Sequence, residues 1–204
     1  MSAGPSLQTS LCGIALKNPV LAASGTFAYG VEFEKLVDLN ALGGIVVKGL
    51  SREPMDGNPP PRIWEAEGGM INSIGLQNIG VRAFVRDKLP ALAKLRTAVF
   101  ANVFGNAIED YVEVIRALEA AEGLAGYELN VSCPNTSHGG IYFSSDPALL
   151  AEVVGRAAAK HQEARERDRV GVDDPLQIRC TALQASSDRR QSHIHHRTVH
   201  EGEA

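Results

Sequence analysis

Polar residues with chemical capacity stand where the short apolar runs of this chain end. Ser24 and Gly25 close PVLAAS, Lys48 and Gly49 end GIVVKG, Asn102 interrupts AVFANVFG, and Asn130 lies in YELNVS just before Cys133 and Asn135. Runs this apolar should not carry an amine or an amide inward without a partner, because an unpaired buried polar group costs roughly 1 to 3 kcal/mol. Taken singly, Asn102 and Asn130 read equally well as loop or capping amides. Together with Lys48 they point to a ligand that satisfies them. Cys133 has two readings, a buried structural thiol or a working one. A free thiol ionises near pH ~8.5, within reach of nucleophile or base chemistry if its neighbours help. The working reading is favoured by the next seven residues, Pro134-Asn135-Thr136-Ser137-His138-Gly139-Gly140, an exposed loop able to close over a substrate.

The elements that must position these groups alternate between strand and helix. PVLAAS (19–24) is a short run closed by Gly25, as a strand buried on both faces would be, and GIVVKG (44–49) is a second. Between them EFEKLVDL (32–39) is expected to be a helix, with Phe33, Leu36, Val37 and Leu39 on one side and Gly43-Gly44 as its stop. A long Gly- and Pro-rich loop comes next, including Asn58-Pro59-Pro60-Pro61-Arg62, of a length usually reserved for function. Val81 to Leu95 predicts a helix broken near Pro90, Ala98 to Gly105 a third strand, Ala107 to Glu122 an amphipathic helix and Tyr127 to Ser132 a fourth strand. Asp146-Pro147 starts a helix through Val154. Strand and helix in alternation imply a parallel sheet, whose carboxyl ends gather the chemistry on one face.

Composition sets the outer limits. With 204 residues, 44% hydrophobic and 22% charged, the chain can bury a sizeable core. A net charge of -4 with scattered Lys and Arg excludes the basic footprint of a nucleic-acid binder. No stretch approaches the ~18 apolar residues of a membrane span, and no leader is visible, so no membrane is implied and the reading is cytoplasmic. Three cysteines make neither a disulfide framework nor a four-cysteine metal site. Without GxGxxG or a P-loop, a Rossmann dehydrogenase is disfavoured. Every aromatic residue lies before position 144, and the polar stretch 155–204 is expected to be a poorly ordered tail. Its His193, His195, His196 and His200 make only a weak case for metal binding.

The segments KNPVLAASGTFAYG, GGIVVKG, GNPPPRIWEAEGGMINSIGLQNIG, ANVFG and ELNVSCPNTSHGG, together spanning about Leu11 to Val154, resemble the dihydroorotate dehydrogenase family. The resemblance implies a (β/α)8 TIM barrel that binds FMN and oxidises dihydroorotate to orotate in pyrimidine (UMP) biosynthesis. Residue by residue, it implies FMN contacts from Ser24, Gly25, Lys48, Gly49, Asn102 and Asn130. Substrate would be held by Lys48, Asn72, Ser73, Ile74, Gly75, Leu76, Asn130 and Asn135, with Cys133 as catalytic base and Lys48 beside it. Cysteine at 133 resembles the soluble class 1 enzymes, since the membrane-associated class has serine there. NSIGLQN with GNPPPRI looks like the type B catalytic subunit, which works with an electron-transfer subunit carrying FAD and an iron–sulfur cluster and reduces NAD. The fumarate-linked type A is the alternative.

A full barrel needs about 250 residues, so only its first half, 1–154, is expected here, followed by a divergent or frame-shifted tail. Pro175 to Arg179 could be a remnant of strand five, with Arg179 in the place of a flavin-contacting lysine. Half a closed sheet leaves a raw edge that favours an oligomer. It also lacks late phosphate loops, so little FMN and no turnover are expected of the isolated chain, and a non-catalytic fragment or assembly module is the competing reading.

Overall fold

The computed structural model describes residues 5–131 and 143–168, with side chains through 163. Two strands open the chain, β1 (Thr9–Leu11) and β2 (Ile14–Leu16), paired antiparallel as a hairpin through Cys12 and Gly13, both at positive φ. The main sheet contains β3 (Leu21–Ala22), β4 (Gly44–Leu50), β7 (Ala98–Val103) and β8 (Gly126–Leu129). It is parallel throughout, in the spatial order β3-β4-β7-β8. Strands that neighbour in space as they do in sequence are the arrangement of a barrel segment; a doubly wound sheet reverses its order. The expected parallel α/β architecture is therefore observed.

Alternation along these strands sorts the residues between two faces. Ile45 and Val47 of β4 and Val99, Ala101 and Val103 of β7 form the outer face and are buried in one large core. That core is completed by α1 (Gly80–Asp87), α2 (Leu89–Leu92), α3 (Ile108–Leu118) and α4 (Pro147–Asp168), through Phe84, Leu92, Tyr111, Ile115, Val153 and Ala157. The other parity forms the inner face, apolar at the amino ends and polar at the carboxyl ends. There Leu16, Val46 and Phe100 make a second, smaller cluster with Leu11, Ile14 and Leu21, so the β1–β2 hairpin caps the amino end.

The break in the helical segment is where it was expected, with Pro90 in the first turn of α2, where its missing N–H is harmless. Three expectations are corrected. Residues 32–39 are not an α-helix: 3-10 turns at Val31–Phe33 and Leu39–Ala41 bracket them, and Leu36 is exposed. Asp38 accepts a hydrogen bond from Asn40 N and starts a fresh turn, which leaves pieces too short to propagate a helix. The first βα unit thus has no α-helix. The long loop contains an antiparallel hairpin, β5 (Ile63–Ala66) with β6 (Gly69–Asn72). The helix expected to stop at Val154 runs to Asp168, so the boundary drawn there falls inside α4. Ala157 continues the buried stripe of Val153, and His161, a turn further on, meets Glu119. Small alanines in a charged segment had masked that stripe.

Candidate functional site: a polar row on the inner face of the sheet

Two residues beyond Val46 and Phe100, the inner face changes from apolar to polar. Lys48 on β4, Asn102 on β7 and Glu128 on β8 share the parity of that face, and Asn102 stands directly opposite Glu128 in the ladder. Ser24, just past β3, completes the row. Its hydroxyl donates to Glu128 Oε1 at 2.8 Å. The Asn102 amide donates to the same carboxylate oxygen, and lies 3.4 Å from Ser24 Oγ. At ~4.8 Å between strands, β3 and β8 would lie about 14 Å apart in a flat sheet. Contact between their side chains therefore marks a sheet, with the chain after Ala22, that curls over β4.

Apart from Oε2 of the exposed Glu128, two polar atoms in this row have no hydrogen bond among the described residues. One is Asn102 Oδ1, although Asn102 is only 4% exposed. The other is the half-buried Lys48 ammonium; only its backbone is held, N–H to Ala28 O at 2.7 Å. Gly49 makes the packing possible, because a Cβ there would sit 2.9 Å from Asn102 Oδ1 and 3.0 Å from the Phe104 ring. Gly25 is the opposite case, with nothing within 4 Å of the position a Cβ would take. Asn130, at the end of β8, is fixed through its backbone: its N–H donates to Val103 O at 2.8 Å and its carbonyl accepts from Tyr111 Oη at 2.7 Å.

The segment Asn72 to Leu76 is built separately. Asn72 and Ser73 are exposed at the foot of the β5–β6 hairpin, while Ile74, Gly75 and Leu76 are half-buried. Asn58 ties the turn together, donating from its backbone to Ile74 O at 3.0 Å and from its amide to Ser73 Oγ at 2.6 Å. Gly75 adopts φ 73, and a Cβ there would sit 2.6 Å from Asn58 N. Arg62 closes the base, its guanidinium donating to Asn58 O, to Asp56 O at 2.9 Å and to Gln77 Oε1 at 2.7 Å. The whole loop is anchored at the carboxyl end of β4, where Ser51 N donates to the side-chain oxygen of Asn78 at 3.3 Å. The anchor brings the loop to the end of the sheet that carries the polar row. No hydrogen bond among the described residues joins Asn72 to Leu76 with the row itself.

A second charged group braces this end of the molecule. Glu32 pairs with Lys88 at 2.9 Å and accepts from Tyr29 N, and Tyr29 Oη accepts from Ile79 N at 3.1 Å. Burial pushes Glu32 upward, but the Lys88 ammonium and backbone N–H groups outweigh it and hold the carboxyl below its ordinary 4.5. Burial raises the Tyr29 phenol, keeping it neutral.

Of the residues expected to form a site, the structure joins Ser24 and Asn102 by contact, places Gly49 against Asn102, and sets Lys48 on the same face. Cys133, Asn135, Pro175 to Arg179 and the histidines at 193, 195, 196 and 200 lie outside the described residues. Sequence reasoning missed Glu128, although it stands two residues before Asn130 and so shares its face. It also gave no role to Arg62. Among the described residues there is no cluster of three or more metal-ligating side chains, and no helix is long and apolar enough to cross a membrane.

Comparison with known proteins places the chain in a family. A protein 79% identical over 161 residues, from Solibacter usitatus (strain Ellin6076), bears the provisional name dihydroorotate dehydrogenase A (fumarate); the match covers 79% of this chain and 52% of the relative. A protein of Thermodesulfovibrio yellowstonii (strain ATCC 51303 / DSM 11347 / YP87), named dihydroorotate dehydrogenase B (NAD(+)), catalytic subunit, is 52% identical over 74% of this chain and 50% of its own length. The chain spans about half the length of the curated relatives it matches. Among solved structures, the dihydroorotate dehydrogenase of Eimeria tenella in complex with ferulenol superposes with a TM-score of 0.58 at 20% identity, over 77% of this chain and 44% of that one. This likeness supports the barrel-type fold. The family model described as dihydroorotate dehydrogenase matches residues 6–180, well past Val154, the limit of the resemblance legible in the sequence. With that match spanning most of its length, the chain belongs to the dihydroorotate dehydrogenase family.

Proposed function

We propose that the inner-face row is the flavin- and substrate-facing wall of an FMN-dependent dihydroorotate dehydrogenase, which forms orotate for pyrimidine synthesis in the cytoplasm. One observation carries the reading: Asn102 Oδ1, almost wholly buried, and the Lys48 ammonium stand on one face without partners among the described residues, and Gly25 at the edge of the row leaves open space beside it. FMN fits this donor set. Ser24, Gly25, Lys48, Gly49, Asn102 and Asn130 would hold it, and when bound it supplies the acceptor for the hydride leaving the substrate. Lys48 would supply a positive charge for the substrate carboxylate and for the negative charge that the flavin ring gains on accepting the hydride. Asn72 to Leu76, with Asn130 and Asn135, would pair with the donor and acceptor edges of the pyrimidine. Arg62 and Asn58 keep that loop in one shape, so less ordering is needed on binding. Cys133 would remove the ring proton as base.

The type B arrangement is the proposed context, with NAD reduced through an electron-transfer subunit carrying FAD and an iron–sulfur cluster. Its support is the run of relatives near 50% identity named as type B catalytic subunits. The 79% identical relative favours a second reading, direct reduction of fumarate. Orotate added to the chain in the presence of FMN tests the shared core of both. A saturable change in the visible flavin spectrum is expected, and its absence at millimolar orotate would overturn the reading. Reoxidation by fumarate alone would then favour type A.

A further inference from the structure

Glu128 has no part in the proposed flavin and substrate contacts, yet it is the group on which the row converges. Its Oε1 accepts from the Ser24 hydroxyl and from the Asn102 amide nitrogen, so two strands and the turn after β3 meet at one carboxylate. An Asn side chain can be turned over, exchanging oxygen for nitrogen, and its neighbours decide which end goes where. Turned over, Asn102 would aim its carbonyl oxygen at a carboxylate, acceptor against acceptor. As found, the nitrogen is engaged by Glu128 and Ser24, and Oδ1 is left beside Gly49 with no partner among the described residues.

We propose that Glu128 is a positioning residue, whose carboxylate fixes the Asn102 amide so that the row presents a hydrogen-bond acceptor, and not a donor, to its ligand. The ligand group it selects is a ring N–H of the imide or lactam type, which a flavin and a pyrimidine both carry. That ligand-facing half rests on the function proposed above. The orientation of Asn102 does not. Because Glu128 is exposed, its replacement should leave the fold intact.

The test uses the full chain and the variants Glu128→Leu and Glu128→Gln, with far-UV circular dichroism as the check on folding. In the first arm, the side-chain amide signal of Asn102 is followed by 15N NMR without ligand. It should be shifted and protected in the parent, nearly unchanged in Glu128→Gln, whose carbonyl still accepts, and exchange at least about tenfold faster in Glu128→Leu, as loss of a charge-assisted hydrogen bond implies. An Asn102 signal identical in Glu128→Leu and the parent would overturn the proposal. In the second arm, FMN and orotate are titrated separately. The source of the N–H is the one whose dissociation constant rises about tenfold in Glu128→Leu and is restored to within about threefold in Glu128→Gln. Equal affinity of parent and Glu128→Leu for both compounds would refute the ligand-facing half. If the parent binds neither compound, the flavin reading fails and the first arm still decides the role of Glu128.

Discussion

Replacing Gly49 by alanine isolates the packing on which the polar row depends. The added methyl would meet Asn102 Oδ1 at 2.9 Å and two atoms of the Phe104 ring at 3.0 and 3.2 Å. Neither neighbour is a loose surface chain. Asn102 is held by Glu128 and Ser24, and Phe104 is 5% exposed, so a few tenths of an ångström must come from the strand itself or from a broken hydrogen bond. Overpacking of this kind costs about 1 to 3 kcal/mol. For a domain of this size that lowers Tm by about 2 to 12 °C, at roughly 2 to 4 °C per kcal/mol. Gly25→Ala is the matched control, because nothing lies within 4 Å of its added methyl. Its stability should stay within about 0.5 kcal/mol of the parent. Its FMN affinity should fall all the same, because the methyl occupies room assigned to the ligand. Urea unfolding followed by circular dichroism compares all three proteins. Gly49→Ala and Gly25→Ala of equal stability would refute the claim that Gly49 is there to admit the Asn102 amide.

Arg62→Ala should loosen residues 56–77, with amide exchange there at least about tenfold faster for the loss of hydrogen bonds worth ~0.5 to 1.5 kcal/mol each, while α3 stays protected; Arg62→Lys should not rescue it, since an ammonium lacks the planar fork. Glu32→Gln should cost about 0.2 to 1 kcal/mol at pH 7, the range for a partly exposed pair. Because Glu32 is held below 4.5 in the folded chain, its contribution is present above that pH and is lost as pH falls through the folded value, so the gap between parent and variant in urea midpoint should close in acid. In an FMN-loaded version extended to the full barrel, Cys133→Ser should slow orotate formation and move its optimum to higher pH, because a hydroxyl is a far weaker acid than a thiol; an unchanged pH–rate profile would remove Cys133 from the chemistry.

The buried strands were legible because parallel strands covered on both faces read as continuous apolar runs, and β4 and β7 begin where those runs begin. Polar residues closing such runs identified Ser24, Lys48 and Asn102 for the same reason. Local competition was harder to read. Asp38 capping Asn40 divided a segment with a helical stripe, and β5 and β6 form a hairpin whose four large apolar residues, Ile63, Trp64, Met70 and Ile71, are all exposed and give no alternation between buried and exposed. Glu128 escaped notice because an exposed carboxylate on a strand resembles ordinary surface until the register sets it against Asn102. The hydrogen bonds of Arg62 reach Asn58, four residues away, and Gln77, fifteen away, across a turn that no periodicity encodes.

The proposed flavin wall is tested most directly by where FMN touches the chain. Backbone amide shifts recorded by 15N NMR during an FMN titration of the full chain report this at residue level, even for weak binding. The largest saturable changes should fall on Ser24, Gly25, Lys48, Gly49, Asn102 and Asn130, with Val47 and Val99 of the outer face and Ile115 of α3 unmoved. Changes confined to the exposed hairpin 63–72, or none at millimolar FMN, would contradict the assignment of the inner face as the flavin wall.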